Sequence, residues 1–335
     1  MRVVVVGGVG FLGANVTPLL RERGYEVVVA AKRGAENEMP LIASHLRRLG
    51  AQLALFPRIE ERGLGELAGD VYLYLIGLIG VFTGRLEDFR EAQVSLLEET
   101  VKAAAPIGAR VVYVSSIAAI GGIKGVKPGS TIYEEEEHLG GERVYSNYYE
   151  ITKAEGERAL VKMGRELKGR WSILRPGIFI GPWGRHADWR FLRRSLSFRI
   201  APYFGVGLPI VDVRDVAEVL VEAGEGKYEG QWVHVVSPYY PEVADLIVEG
   251  CRYEGKRCLP VPAQPLGSLG LLLSPLAVRL APKGSSLSLV LNWLRYRYRY
   301  ASRFLRREWR DVREMVRGTF EWQDSAAQAS AAAGI

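Results

Sequence analysis

The sequence predicts an α/β fold: a doubly wound parallel sheet in the first half of the chain, followed by a smaller C-terminal lobe. Three observations predict it. Val3 to Val6 is an unbroken β-branched run, as expected of a strand buried on both faces of a parallel sheet. Glycines follow at once, then an apolar-periodic stretch from Phe11 to Arg23 that Gly24 ends. Tyr25 to Ala30 is a second strand, so the first 30 residues form one strand–helix–strand unit.

Further strands are predicted at Leu53–Phe56, Val71–Ile76, Arg110–Val114, Trp171–Arg175 and Gln231–Val236. Helical periodicity separates several of them, over Leu86–Ala105 and Tyr149–Leu167. Strands alternating with helices indicate a Rossmann-type sheet. After Gly181 the alternation weakens, and nine prolines from Pro202 to Pro282 cut the chain into short pieces. The reading is a domain over 1–181 and a mixed lobe over 182–322, some of whose segments return to the sheet. The Ala/Ser/Gln-rich residues 323–335 have no core-forming pattern and are expected to be a disordered tail or a marginal helix.

Composition excludes several classes. With 48% hydrophobic and 24% charged residues over 335 positions, the chain can bury a full core. Two cysteines, Cys251 and Cys258, are too few for a disulfide framework. The four histidines are scattered, so no metal site is expected. No signal peptide is read at the N-terminus, and the longest apolar stretch, Pro265–Val278, is too short for a membrane span and holds Pro275. A cytoplasmic protein is expected. The net charge of +6 is matched by one segment, Leu294–Arg317, with nine arginines against three acids. A general nucleic-acid-binding surface is therefore not implied.

The chemistry begins at Gly7-Gly8-Val9-Gly10-Phe11-Leu12-Gly13. Gly7, Gly10 and Gly13 stand between a strand and a helix, where a tight turn, close approach to a pyrophosphate and close helix–strand packing each need glycine. The helix N-terminus then offers unpaired N–H groups and partial positive charge to phosphate. This predicts a dinucleotide site, with Phe11 and Leu12 in its turn. The second strand ends Val29-Ala30-Ala31-Lys32-Arg33, with no acid until Glu36. A carboxylate there would repel a ribose 2′-phosphate, whereas Lys32 and Arg33 would attract it, so NADP is favoured over NAD. Two solvated loop cations are the plainer alternative.

The strand Arg110–Val114 ends in Ser115-Ser116, and Tyr149-Glu150-Ile151-Thr152-Lys153 follows later. Tyr149 and Lys153, four apart, share a helix face. A nearby ammonium lowers a tyrosine's pKa from about 10. The phenol could then exchange the proton of a substrate hydroxyl as hydride moves. A serine at the strand end would hold the same oxygen. Alone, this spacing is usually a surface pair. Its weight comes from following the glycine turn and the serine-bearing strand.

With these motifs the chain resembles the extended short-chain dehydrogenase/reductase family, which includes nucleotide-sugar epimerases and dehydratases. The resemblance covers most of residues 1–322. Val112 to Ser116, with Gly121 beyond, is similar to the family's serine-bearing strand. Arg175-Pro176-Gly177-Ile178-Phe179-Ile180-Gly181-Pro182 is similar to its segment beside the nicotinamide, which adds Pro176 and Ile178 to the cofactor residues. Val211 to Ala217 is similar to the opening of its substrate lobe, and Arg306 to Trp309, with Trp322, to its C-terminal tail. The resemblance implies a catalytic set of Ser116, Tyr149 and Lys153, Ser116 being preferred over Ser115 by its distance to Gly121. It also implies that Tyr149 and Lys153 touch the cofactor. Three departures stand out: Phe56-Pro57-Arg58-Ile59 where an acid is usual, Tyr74-Leu75-Ile76-Gly77 for a usual His-Leu-Ala-Ala, and Gln93 for an asparagine. Ile76 to Gly80 is also similar to relatives that bind the dinucleotide without turnover.

Substrate signals conflict. Arg185, Arg190, Arg193, Arg194 and Arg199 could hold a diphosphate or form a solvated helix face. The apolar Leu266–Val278 could line a pocket for a hydrophobic alcohol, although a core helix or dimer face is favoured. Tyr296-Arg297-Tyr298-Arg299-Tyr300 could stack on bases or suit a membrane surface, but an exposed edge with snorkelling arginines is favoured. The expected activity is NAD(P)-dependent oxidoreduction or epimerisation at a secondary alcohol or ketone. A nucleotide sugar is the first substrate reading. A steroid- or flavonoid-type alcohol is an alternative, as is a non-catalytic dinucleotide-binding accessory subunit. A small-molecule partner and a homodimer are expected.

Overall fold

The computed structural model describes residues 1–77, 84–135, 141–184, 187–283 and 286–332. Its centre is a seven-stranded sheet: β1 (Arg2–Val6), β2 (Glu26–Lys32), β3 (Gln52–Phe56), β4 (Val71–Tyr74), β5 (Arg110–Val114), β6 (Trp171–Pro176) and β7 (Gln231–Val235). All strand pairs are parallel and the order is β3-β2-β1-β4-β5-β6-β7. Val3 to Val6 are fully buried because helices cover both faces, which is why the run shows no polar alternation. The order reverses between β1 and β4. A crevice opens there beyond the strand ends, and the glycine turn leads out of β1 into it.

The principal helices are α1 (Phe11–Glu22), α2 (Tyr148–Met163), α3 (Val213–Gly224), α4 (Val243–Tyr253), α5 (Gln264–Leu280), α6 (Ser286–Tyr296) and α7 (Val312–Ala332). α1 and α3 pack on one face of the sheet, in a core with Val5, Val29 and Leu73. The other face buries Val4, Val6, Tyr72 and Tyr113. A third core joins α4 to α7 through Ile247, Met315 and Phe320. The lobe expected over 182–322 thus returns a strand, β7, and a helix, α3, to the sheet.

Several expectations are corrected. The helix read over Leu86–Ala105 is two helices, Leu86–Arg90 and Leu96–Ala104, joined by a π-helical turn at Glu91–Ser95. The buried Tyr74 hydroxyl donates to the Ala92 carbonyl at 2.5 Å, which draws that group out of the α-helical ladder. The tail from residue 323, expected to be disordered or a marginal helix, continues α7 as helix through Ala332. Asp324 anchors it, accepting from the Tyr253 hydroxyl at 2.7 Å and pairing with Arg193 at 2.7 Å. Although two cysteines make no framework, Cys251 and Cys258 form a disulfide with Cα atoms 6.0 Å apart, closing the loop after α4.

The apolar stretch Leu266–Val278 is neither core nor buried pocket wall. It lies in α5 with most of its leucines exposed. In the Tyr/Arg segment, Tyr298 and Tyr300 are buried beside Ile120 and Ile123, so this is no exposed edge. Arg299–Tyr300 pairs in parallel with Thr131–Ile132. Many C-terminal arginines serve the fold itself. Arg310 pairs with Asp215 and with Glu218 (2.9 Å), Arg307 pairs with Glu218, and Arg303 with Glu135 (3.2 Å). Among the described residues no helix is long and apolar enough to cross a membrane, and no cluster of three or more His, Cys, Asp or Glu is placed to hold a metal ion.

Candidate active site

A cavity of about 1150 Å³ runs along the crevice at the strand ends. Ligand pockets usually measure about 300–1,000 Å³, so there is room for a dinucleotide and a second molecule. Gly7, Gly10, Phe11, Leu12, Gly13 and Lys32 border one end, and Ser116, Tyr149, Lys153, Pro176 and Ile178 border the other. Of the residues predicted for the site, Arg33 alone is off this wall. Its side chain is exposed, and its amide donates to the Phe56 carbonyl at 2.7 Å.

The three glycines differ in what they allow. Gly7 has φ +78°, and a Cβ there would lie 2.5 Å from the Ile76 side chain. A Cβ on Gly13 would lie 1.9 Å from the Gly8 carbonyl oxygen, so α1 can sit this close to the turn only with glycine. Gly10 is different: its Cβ would meet nothing nearer than 3.7 Å and would project into open cavity. Gly10 also caps α1 without any side-chain bond. The turn therefore keeps a space beside the helix N-terminus, as a pyrophosphate requires.

At the other end, α2 begins with a capping box of Asn147 and Glu150. Tyr149, Lys153 and Glu157 then succeed one another at four-residue steps. The Lys153 ammonium donates to the Val114 carbonyl at 2.8 Å and lies 5.8 Å from the centre of the Tyr149 ring. A Cβ on Gly77 would fall 3.6 Å from that ammonium, so the departure at Tyr74–Gly77 leaves room beside it. Ser116 lies close enough to Tyr149 to pull the pKa of its phenol down, and the Ser116 oxygen accepts from the Ala118 amide at 3.1 Å. Ser115, by contrast, donates to Glu157, which is also gripped by the buried Arg175 (Nε to Oε1, 2.9 Å). The two serines thus part company, one toward the buried ion pair and one toward Tyr149.

Burial dominates the ionisation of this cluster. It pushes the Tyr149 phenol up to about 12, against the pull of Ser116, and brings Lys153 down to about 7, against the charge of Glu157. Burial also raises Glu157, while Ser115 and then Lys153 hold it down. Tyr149 thus keeps its proton at neutral pH, and Lys153 can lose one.

Sequence reasoning missed the wall facing this cluster. Leu289, Val290, Asn292, Trp293 and Tyr296 of α6, with Tyr300, form it. Asn292 donates to Glu150 at 2.7 Å, and Asn147 to Ser288 at 2.7 Å, so α6 is hooked onto the cap of α2. One signal was legible: a lone Asn in an apolar helical run. Arg58, noted as a departure, borders the cavity at the glycine-turn end with Lys32. Among the described residues, the arginines considered for a diphosphate do not border it. Arg190, Arg194 and Arg199 are exposed, Arg193 pairs with Glu254 and Asp324, and Arg185 lies outside the described residues. The Leu78-Ile79-Gly80 part of the stretch likened to non-catalytic relatives also lies outside them.

The model of the family described as NAD dependent epimerase/dehydratase matches residues 3–235 of this sequence. The chain belongs to that family. Membership of the NAD dependent epimerase/dehydratase family accords with the glycine turn and the Tyr-x-x-x-Lys helix, both inside the matched stretch. A curated protein of Synechocystis sp. named "Putative dihydroflavonol 4-reductase" is 28% identical over 232 residues, 64% of this chain and 60% of that protein. The match therefore spans about 60% of the length of the curated relative. Among solved structures, UDP-glucuronic acid 4-epimerase from Bacillus cereus in complex with NAD shares 16% identity over 96% of each chain, with a TM-score of 0.69. UDP-glucose 4-epimerase of Thermotoga maritima with UDP-glucose shares 18% over 98% of this chain and 100% of the other, with a TM-score of 0.67. These likenesses show the same fold.

Proposed function

We propose that the protein is an NAD(P)-dependent oxidoreductase that interconverts a secondary alcohol and a ketone, with Tyr149 as its proton-exchanging group. The carrying observation is one cavity with the open, uncapped helix turn at one end and the Ser116–Tyr149–Lys153 cluster at the other. Gly7, Gly10, Phe11, Leu12 and Gly13 would hold the cofactor's pyrophosphate. Pro176 and Ile178 would flank its nicotinamide, and Lys153 its ribose. When bound, the nicotinamide supplies or takes up hydride. Tyr149 gives its phenolic proton to the substrate oxygen in reduction and takes it back in oxidation. Ser116, fixed by the Ala118 amide, positions that oxygen. Lys153 stabilises the phenolate left behind. Tyr149→Phe should lower turnover by about two to four orders of magnitude and leave cofactor binding near its original strength. Near-native turnover in that variant would refute the assignment.

Lys32 and Arg58 favour NADP, since both stand at the glycine-turn end and Glu36 is turned away to accept from the Gly34 amide at 2.8 Å. Replacing Lys32 and Arg58 together should raise KM for NADP by about tenfold or more and leave that for NAD little changed, one charge-assisted contact being worth about 1.5–3 kcal/mol.

For the substrate, the α6 wall favours a largely apolar alcohol or ketone. Among the described residues that line the cavity, the only Lys or Arg side chains are Lys32, Arg58 and Lys153, and none stands on the α6 side. A nucleotide sugar is the second reading, favoured by the likeness to epimerases solved with NAD or UDP-glucose. Turnover assays across both classes, with NADPH absorbance for reduction and sugar-product analysis for epimerisation, separate the two.

A further inference from the structure

α5 is built inside out. Its inward face is small: Gly267, Ser274 and Val278, with Gly267 so close to the body that a Cβ would fall 2.2 Å from the Phe204 carbonyl oxygen. Its outward face carries Leu266, Leu269, Leu272, Leu273, Leu276 and Leu280, spaced three and four apart along one stripe, with Leu272 at 75% and Leu280 at 78% exposure. The strand Leu259–Pro262 runs directly into this helix and continues the pattern. Leu259 is 65% exposed, as is its register partner Ile200 at 49%. A monomer in water gains nothing from such a face, so something covers it.

Charge selects the occupant. From residue 255 to residue 307 the chain has ten Lys or Arg and no Asp or Glu. Arg257 stands exposed before the strand, and Arg279 and Lys283 at the far end of α5, so cations bracket the leucine stripe. A symmetric pairing of two copies through this face would set that acid-free stretch against itself. At 17 residues α5 is too short to span a bilayer. An apolar stripe bracketed by cations matches a helix lying in the plane of an anionic membrane, leucines among the acyl chains and cations at the headgroups. We infer that α5 and the strand before it dock this protein on the surface of an anionic lipid bilayer. The Tyr/Arg segment is not the contact, since Tyr298 and Tyr300 are buried and Tyr296 borders the cavity.

The test is flotation of the full chain with vesicles of equimolar phosphatidylcholine and phosphatidylglycerol, and with phosphatidylcholine alone. The wild type should float with the anionic vesicles and release as salt rises. Leu272→Gln combined with Leu276→Gln should weaken that binding about tenfold or more, since both leucines would be withdrawn from the acyl chains. Cofactor binding by the same variant serves as the control for folding. Arg279→Gln with Lys283→Gln should weaken binding to anionic vesicles and abolish the preference over neutral ones. Tyr149→Phe should float like the wild type, which separates docking from the proposed reaction. The inference is overturned if the wild type does not float with anionic vesicles, or if the leucine variant floats unchanged. It is equally overturned if that variant only converts a dimer to a monomer in sedimentation.

Discussion

At the scale of single residues the glycine turn yields the sharpest contrast. Gly13 is dictated by the chain itself, whereas the space beside Gly10 is open cavity, where the proposed dinucleotide would lie. Gly13→Ala should therefore destabilise the fold by about 3 kcal/mol, the upper range for overpacking, read from urea unfolding. Gly10→Ala should leave unfolding within about 1 kcal/mol yet weaken dinucleotide binding about tenfold or more. Equal losses of stability in the two variants would defeat this distinction. Tyr149 gives a second expectation. With its phenol raised to about 12, its proton stays in place across neutrality. Tyr149 then gives reduction no pH dependence of its own from about pH 6 to 9, so a fall near pH 7 would mark Lys153 losing the charge that stabilises the phenolate, while oxidation, which needs the phenolate, should rise with pH. Pre-steady-state rates in both directions provide the check. The turn and the Tyr–Lys pair were legible because each is local, a few residues in a row. The contact of Ser115 with Glu157, itself held by Arg175, was not, because those partners stand at distant positions.

At the scale of elements, the hook between α6 and the cap of α2 holds the α6 side of the cavity against α2. Glu150 accepts from Asn292 at 2.7 Å and from the Ser146 amide at 2.8 Å, yet burial still raises its carboxyl to about 7. Because this pKa stands above the ordinary carboxylate value, ionising Glu150 costs stability as pH rises toward and through about 7. Asn292→Leu removes a donor, pushes the carboxyl higher and extends that loss. The variant should lose about 1.5–3 kcal/mol, and more at pH 8 than at pH 6, by thermal unfolding. A pH-independent loss would mean that Glu150 does not carry the effect. The sequence showed the helices and the strands of the sheet through their periodicity. It did not show the π turn at Glu91–Ser95, because the Tyr74 hydroxyl that draws out the Ala92 carbonyl comes from a strand.

At the scale of the whole molecule, the C-terminal segment is clasped to the helix that opens the lobe. Asp215 is 1% exposed and its partner Arg310 lies 95 residues onward. Arg310→Ala leaves that carboxylate buried without its cation. The expected loss is about 2 kcal/mol, below the usual cost of a broken buried pair because the guanidinium is partly exposed. A shift in the urea midpoint measures it, and no shift would show that the clasp adds nothing. The sequence made the doubly wound sheet readable because each strand–helix unit declares itself within some 30 residues. The lobe was less readable because its order rests on contacts between remote stretches, such as Asp324 with Arg193. The leucines of α5 misled for a related reason: apolar periodicity says that a face avoids water and is silent about what covers it.

The parallel pairing of Arg299–Tyr300 with Thr131–Ile132 also orders events during synthesis. A ribosome delivers the strand at Thr131 long before its mate, about ten to thirty seconds earlier at ordinary elongation rates. The glycine turn and β1 to β5 have by then been made. The nascent chain therefore owns a nucleotide cleft while the opposite wall, with Trp293, Tyr296 and Tyr300, is still untranslated. The glycine-turn end of the cavity is thus made long before its α6 side.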